Sequence, residues 1–171
     1  MLMLAFDVRT LAVHAVDVDG ALELDDEVWL PGDGKPDSAV HVSGRLSVAG
    51  SGRYYFSGRF EGTATIDCRR CLVPVAVAVA DEVAAVFSDG LGDDADDPDI
   101  YVLTDGGKRI DIRPAVREQW LLNVPAFAEC RAACRGICAT CGTDLNAGAC
   151  SCAPAADRRW NALRATRSQA D

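Results

Sequence analysis

Residues 40–79 read VHVSGRLSVAGSGRYYFSGRFEGTATIDCRRCLVPVAVAV. Val40, Val42, Gly44, Leu46 and Val48 alternate with His41, Ser43, Arg45 and Ser47. A period of two is the pattern of a half-buried strand. Gly50, Ser51 and Gly52 supply a turn. Phe56, Gly58, Phe60, Gly62, Ala64 and Ile66 then share one face, opposite Ser57, Arg59, Glu61, Thr63 and Thr65. The same phase carries Cys68 toward the apolar side. Cys71 follows, and Val73 to Val79 opens another strand. The CRRC unit therefore sits on a hairpin-like connection between two long strands.

Outward from this stretch the signals are shorter. Ser88 to Asp99, SDGLGDDADDPD, is rich in acids and glycine and reads as an exposed, mobile loop. It lacks the ordered ligand spacing of a calcium loop. Ile100 to Leu103 and Arg109 to Ile112 predict short strands around the Asp105-Gly106-Gly107 turn. A helix fits Pro114 to Val124, with Pro114 in its first turn and Pro125 as its stop. Ile112, Val116 and Trp120 form its apolar stripe, so Trp120 reads as core. Near the start, Phe6, Val8 and Leu11 suggest a strand or short helix, Ala12 to Leu24 a strand pair, and Pro31 to Pro36 a loop.

The expected fold is α+β. A mainly antiparallel, barrel-like sheet carries a few helices and a small C-terminal Cys-rich zinc-binding segment. Residues 1–127 form the core domain, and residues 128–171 form the Cys-rich segment and a C-terminal helix docked on it.

At 171 residues and 49% hydrophobic, the chain suits one domain with a small appendage. No apolar run reaches the roughly 20 residues needed to cross a bilayer. The start, MLMLAFDVRTLAV, has no basic n-region and meets Asp7 early, unlike a signal peptide. A cytoplasmic location is expected, where thiols stay reduced and metal binding is favoured over disulfides. The formal charge is −9. Two Zn2+ held by eight thiolates would deepen it to about −13. Such a balance argues against nonspecific nucleic-acid binding. Arg158, Arg159, Arg164 and Arg167 are a local exception, read as a solvated helix face or as a nucleic-acid contact.

Six of the eight cysteines lie between residues 130 and 152. Cys138-Ala-Thr-Cys141-Gly142 has the spacing of a zinc knuckle: two thiolates grip one metal from a tight turn, and Gly142 allows positive φ. Cys150 and Cys152 can close that site, with Asp144 to Gly148 turning the chain back. Cys130 and Cys134, one helical turn apart, then pair best with Cys68 and Cys71. That makes two closed four-thiolate sites. The competing assignment is a single site built from Cys134, Cys138, Cys141 and Cys150. Four thiolates suit zinc or iron.

Catalytic signals are weak. CRRC is followed by a strand, whereas a thioredoxin-like pair opens a helix. Fully ligated thiolates leave no open position for a reacting water. His14 and His41 lie in no nucleophile motif. There is no phosphate-binding glycine loop, and Gly32 and Gly34 merely shape a turn.

CRRCL (68–72), EQWLLNVP (118–125), CRAACRGICATCGTDLNAGACSC (130–152) and DRRWNAL (157–163) occur in this order. This string resembles the YceD family, whose members are described as large ribosomal RNA subunit accumulation proteins. The resemblance runs from about residue 40 to residue 165 and is densest after Ile110. It implies a role in accumulating or processing large-subunit ribosomal RNA, in bacteria and plastids, with no established reaction. It places the family's cysteine pattern on Cys68, Cys71, Cys130, Cys134, Cys138, Cys141, Cys150 and Cys152. One departure is Asp157-Arg158-Arg159, where the family tail commonly reads Asp-Pro-Arg before the last helix.

The function expected is that of a non-enzymatic ribosome biogenesis factor with structural zinc. Its partner would be a ribosomal protein or large-subunit precursor rRNA, with no membrane and no small-molecule substrate. The alternatives are a nucleic-acid-binding zinc module on the C-terminal arginines, and a metal-dependent nuclease or thiol oxidoreductase.

Overall fold

The period-two segments form the strands they predict, but they do not close on themselves. The computed structural model describes residues 4–12, 14–50, 52–90, 94, 97–153 and 159. In chain order it contains β1 (Ala5–Asp7), a 3-10 turn (Val8–Ala12), β2 (Val16–Leu22), β3 (Val40–Gly50) and β4 (Arg53–Asp67), followed by β5 (Pro74–Ser88), β6 (Ile100–Val102), β7 (Arg109–Asp111) and α1 (Arg113–Asn123). One sheet has the order β2-β3-β4-β5-β6 and a second pairs β1 with β7. The pairs β2-β3, β3-β4 and β4-β5 are antiparallel, and β6 runs parallel to β5.

The expected barrel is absent among the described residues. Strands β2 and β6 are the two edges of an open sheet and do not pair. The sheet has no need to curl shut, because α1 packs against β5 and covers the apolar face. Val40, Val42, Leu46, Phe56 and Phe60 from β3 and β4 are fully buried there. Val83 and Phe87 of β5 join them, with Ile112, Val116 and Trp120 from the helix stripe.

Other expectations shift in detail. The segment from Ala12 to Leu24 holds one strand, β2, whose partner is β3 rather than a neighbour within the segment. The N-terminal run is a strand and then a 3-10 turn. The two short strands flanking Asp105-Gly106-Gly107 join different sheets: β6 extends β5, and β7 pairs with β1. Within the acidic loop, Ser88 and Asp94 are buried, and Asp94 accepts from Arg53 Nε at 2.9 Å. This ion pair supplies the packing that the composition did not reveal. One α-helix is present among the described residues, and the expected C-terminal helix lies outside them.

Trp120 anchors the layers. Its ring packs edge-on to Phe60, with centroids 6.3 Å apart. Its Nε1–H donates to the Gly34 carbonyl at 2.8 Å, so the buried polar end is satisfied. Gly62 makes room for the ring: a Cβ there would lie 2.8 Å from it. Arg117 adds a bidentate bond to Asp33, at 2.7 and 2.8 Å, and ties the Pro31–Pro36 loop to α1.

Two outcomes follow from this packing. Gly62→Ala should destabilise the fold by about 1–3 kcal/mol through overpacking, read as a lowered midpoint in denaturant. The Arg117 guanidinium holds the Asp33 carboxyl below its ordinary value. A depressed carboxyl stabilises the fold above the unfolded value and loses that contribution as pH falls through the folded one. Thermal stability should therefore fall below about pH 4, and Asp33→Asn should make that decline shallower.

Candidate metal centres

The β4–β5 pairing ends at Asp67 opposite Pro74, so residues 68–73 turn the tip of the hairpin. The Cys68 N–H donates to the Val73 carbonyl at 2.8 Å, and the Leu72 N–H returns to the Cys68 carbonyl at 2.9 Å. The second C-x2-C unit repeats both bonds: Cys138 N–H to the Thr143 carbonyl at 2.8 Å, and Gly142 N–H to the Cys138 carbonyl at 2.9 Å. Both units are thus the same tight knuckle. The residue after the second cysteine has φ +73 in Gly142 and +62 in Leu72. Leucine in that region costs about 1–2 kcal/mol relative to a relaxed backbone.

Residues 128–137 run beside the first knuckle. Arg69 N–H donates to the Ala128 carbonyl at 2.9 Å, and Ile137 N–H to the Arg70 carbonyl at 3.0 Å. Cys130 and Cys134 meet across a tight turn closed by Cys134 N–H to the Arg131 carbonyl, not across a helical turn. The chain must leave this turn at once to pass Arg70, which a helix would prevent.

The eight sulfurs gather into two groups. Cys68, Cys71, Cys130 and Cys134 form one; Cys138, Cys141, Cys150 and Cys152 form the other. Within each group all sulfurs lie within 4.8 Å of one another. In the first, Cys71 and Cys130 are 3.6 Å apart and Cys68 and Cys134 are 4.0 Å apart. Four thiolates around a metal at about 2.3 Å would sit about 3.8 Å apart, so the donor set fits a tetrahedral ion such as zinc. All eight cysteines are free of disulfides.

The electrostatics suit anionic sulfur. The Cys68 thiol is lowered to about 6, chiefly by the backbone N–H of Cys130, which points at it from 3.4 Å. Backbone amides of Cys141 and Thr140 lower Cys138 to about 6. Burial and neighbouring thiols push Cys130 up to about 12. Cys134 and Cys141 are lowered as well, so each group pairs two thiols that favour the thiolate with two raised ones, which shed their protons as a cation binds.

The two groups differ in setting. Cys68, Cys71 and Cys134 are buried, whereas Cys141 is exposed and Cys150 and Cys152 are half-buried. Asn146 joins them: its Oδ1 accepts from Arg135 N–H at 2.8 Å, and its Nδ2 reaches Cys134 Sγ at 3.6 Å. Arg70 donates to the Cys134 carbonyl at 2.9 Å, and both Arg69 and Arg70 pair with Glu129. Sequence reasoning missed Asn146, Arg70 and Glu129; a turn-forming asparagine beside a cysteine run is the only signal they leave.

Of the C-terminal arginines, Arg158, Arg164 and Arg167 lie outside the described residues and Arg159 lies within them. His41 is on the solvent face of the sheet, 3.0 Å from Asp19, and His14 is exposed. Neither approaches a cysteine group closely enough to join it.

Sheet and sites together define a class: an open-sheet protein with two four-cysteine groups able to hold metal, one of them joining distant parts of the chain. Residues 56–165 match the family described as "Large ribosomal RNA subunit accumulation protein YceD", and the chain belongs to that family. It is also similar to the Bacillus subtilis (strain 168) protein named "Uncharacterized protein YlbN", with 27% identity over 125 residues, covering 73% of this chain and 71% of that one. No solved structure matches the chain. No helix among the described residues is long and apolar enough to cross a membrane.

The unequal settings predict unequal consequences. Cys68→Ser should remove one metal equivalent and lower the unfolding midpoint by roughly 5–10 °C, because the β4–β5 tip loses its tie to residues 128–137. Cys138→Ser should also remove one equivalent but shift the midpoint by less than about 2 °C. Elemental analysis and calorimetry on the same samples check both.

Proposed function

We propose that this protein is a non-enzymatic ribosome biogenesis factor that supports accumulation of large-subunit ribosomal RNA, with zinc as structural metal in both cysteine groups. The observation that carries this reading is the closed character of the two groups. Each offers four sulfurs within 4.8 Å of one another, and an ion that took all four would keep no position for a reacting water. The metal would hold residues 128–171 against the 1–127 core as a docked segment. Zinc there supplies charge and geometry, while Cys68, Cys71, Cys130 and Cys134 clasp two chain segments together.

Membership of the YceD family supports the ribosomal role. The formal charge of −9 disfavours a broad RNA-binding surface and favours a basic ribosomal protein as the direct partner, with large-subunit precursor rRNA contacted through it. The setting is cytoplasmic, where ribosomes assemble and thiols stay reduced.

Two measurements test this. The purified chain should carry two zinc equivalents and no iron colour. Cells lacking the protein should show a reduced ratio of large- to small-subunit ribosomal RNA, restored by the native chain but not by Cys68→Ser. An unchanged ratio on loss of the protein would refute the reading.

A further inference from the structure

We propose that the tip of the β4–β5 hairpin, centred on Leu72, docks onto a protein partner through an apolar segment flanked by carboxylates. The inference rests on the ribosomal reading only for where that partner is carried.

The first observation is a mismatch between two equivalent positions. Both knuckles require positive φ after their second cysteine. One uses Gly142, at φ +73, and the other uses Leu72, at φ +62. Glycine meets that requirement without strain, whereas a leucine side chain resists it. Leu72 is 59% exposed, so packing in the core does not account for its presence. A strained and exposed apolar side chain is accounted for by a contact outside the fold.

Leu72 is not alone. Val73 is 42% exposed, Phe127 71% and Ile137 36%. All four belong to segments hydrogen-bonded to the same knuckle. Val73 accepts from Cys68, Ala128 next to Phe127 accepts from Arg69, and Ile137 donates to Arg70. A cluster of exposed apolar groups marks a contact site, whereas a scattered few do not.

Charge selects the occupant. Arg69, Arg70, Arg131 and Arg135 lie in these segments, where Glu129 is the one acidic residue, and Asp144 of the neighbouring turn lies within electrostatic reach of Arg131. Glu129 serves Arg69 and Arg70, and Arg131 and Arg135 are exposed. Arginines and an aromatic ring around apolar anchors are the composition of a protein–protein hot spot. Carboxylates on the partner complete it, and they need only be local, since a basic ribosomal protein can present them in one segment. A second copy of this chain would set arginine against arginine. RNA fits less well: three of the four apolar side chains have no ring on which a base could stack, and the chain's overall negative charge repels a polyanion.

The test uses the full-length zinc-loaded chain and large-subunit precursor particles isolated from cells lacking it, with ribosomal RNA extracted from those particles as a second probe. The wild-type chain should bind the particles and bind the bare RNA at least ten-fold more weakly. Leu72→Gly should keep both zinc equivalents and an equal or higher unfolding midpoint, yet bind the particles at least ten-fold more weakly. Phe127→Ser should weaken binding in the same direction without metal loss. Unchanged binding by Leu72→Gly would overturn the proposal while leaving the ribosomal role intact. Equal binding of bare RNA would overturn it in favour of RNA, and a dimer dispersed by Leu72→Gly would overturn it in favour of self-association. Failure of the wild-type chain to bind particles at all would overturn the ribosomal role and this proposal together.

Discussion

The fifteen-residue pairing of β4 with β5 is the constraint on which the cysteine-bearing half depends. Its register runs unbroken from Arg53 opposite Ser88 to Asp67 opposite Pro74. That register decides how many residues remain to turn the tip and which way Cys68 faces. A slip of one residue would turn Cys68 from the buried side to solvent, because side chains alternate across a strand. Burial of Phe56, Phe60, Val83 and Phe87 on one face makes such a slip costly. Core packing in the sheet thus sets the geometry of the first cysteine group from several strand repeats away.

The two cysteine groups share a donor set and a knuckle but differ in what they close. Cys68 and Cys130 are 62 residues apart in sequence. Joining them restricts a long segment of the unfolded chain, and the buried surroundings strengthen every amide-to-sulfur bond in the group. Cys138 to Cys152 is a short local loop with little core beneath it. Asn146 and Gly136 couple the two: Leu145 N–H donates to the Gly136 carbonyl at 2.9 Å, just where the chain leaves Cys134. The exposed group is therefore positioned by the buried one.

Ion pairs play a similar locking role at the other end of the molecule. Arg113 and Arg117 of α1 reach back to Asp26 and Asp33, and Trp120 donates to Gly34. These contacts pin the long connection between β2 and β3 onto the helix. An acid-rich segment that would otherwise repel itself is neutralised where it packs.

Legible in the chain alone were the alternation of β3 and β4, the start of β5 and the stripe of α1, because periods of two and 3.6 are local properties. The family was legible too, through the order and spacing of CRRC, the helix and the cysteine run. Grouping the eight cysteines needed only spacing and the requirement of four donors, although it left the single-site alternative open. The three-dimensional arrangement was needed to show that the sheet stays open, that β2 at Val16–Leu22 pairs with β3 rather than with a neighbour of its own, and that β6 and β7 part company. Periodicity states which face is buried and is silent on which strand lies alongside. Tertiary structure likewise decided that Leu72 takes the backbone conformation of Gly142 and that Asn146 meets Cys134. Those features arise where segments distant in sequence cross, and no local pattern encodes such a crossing.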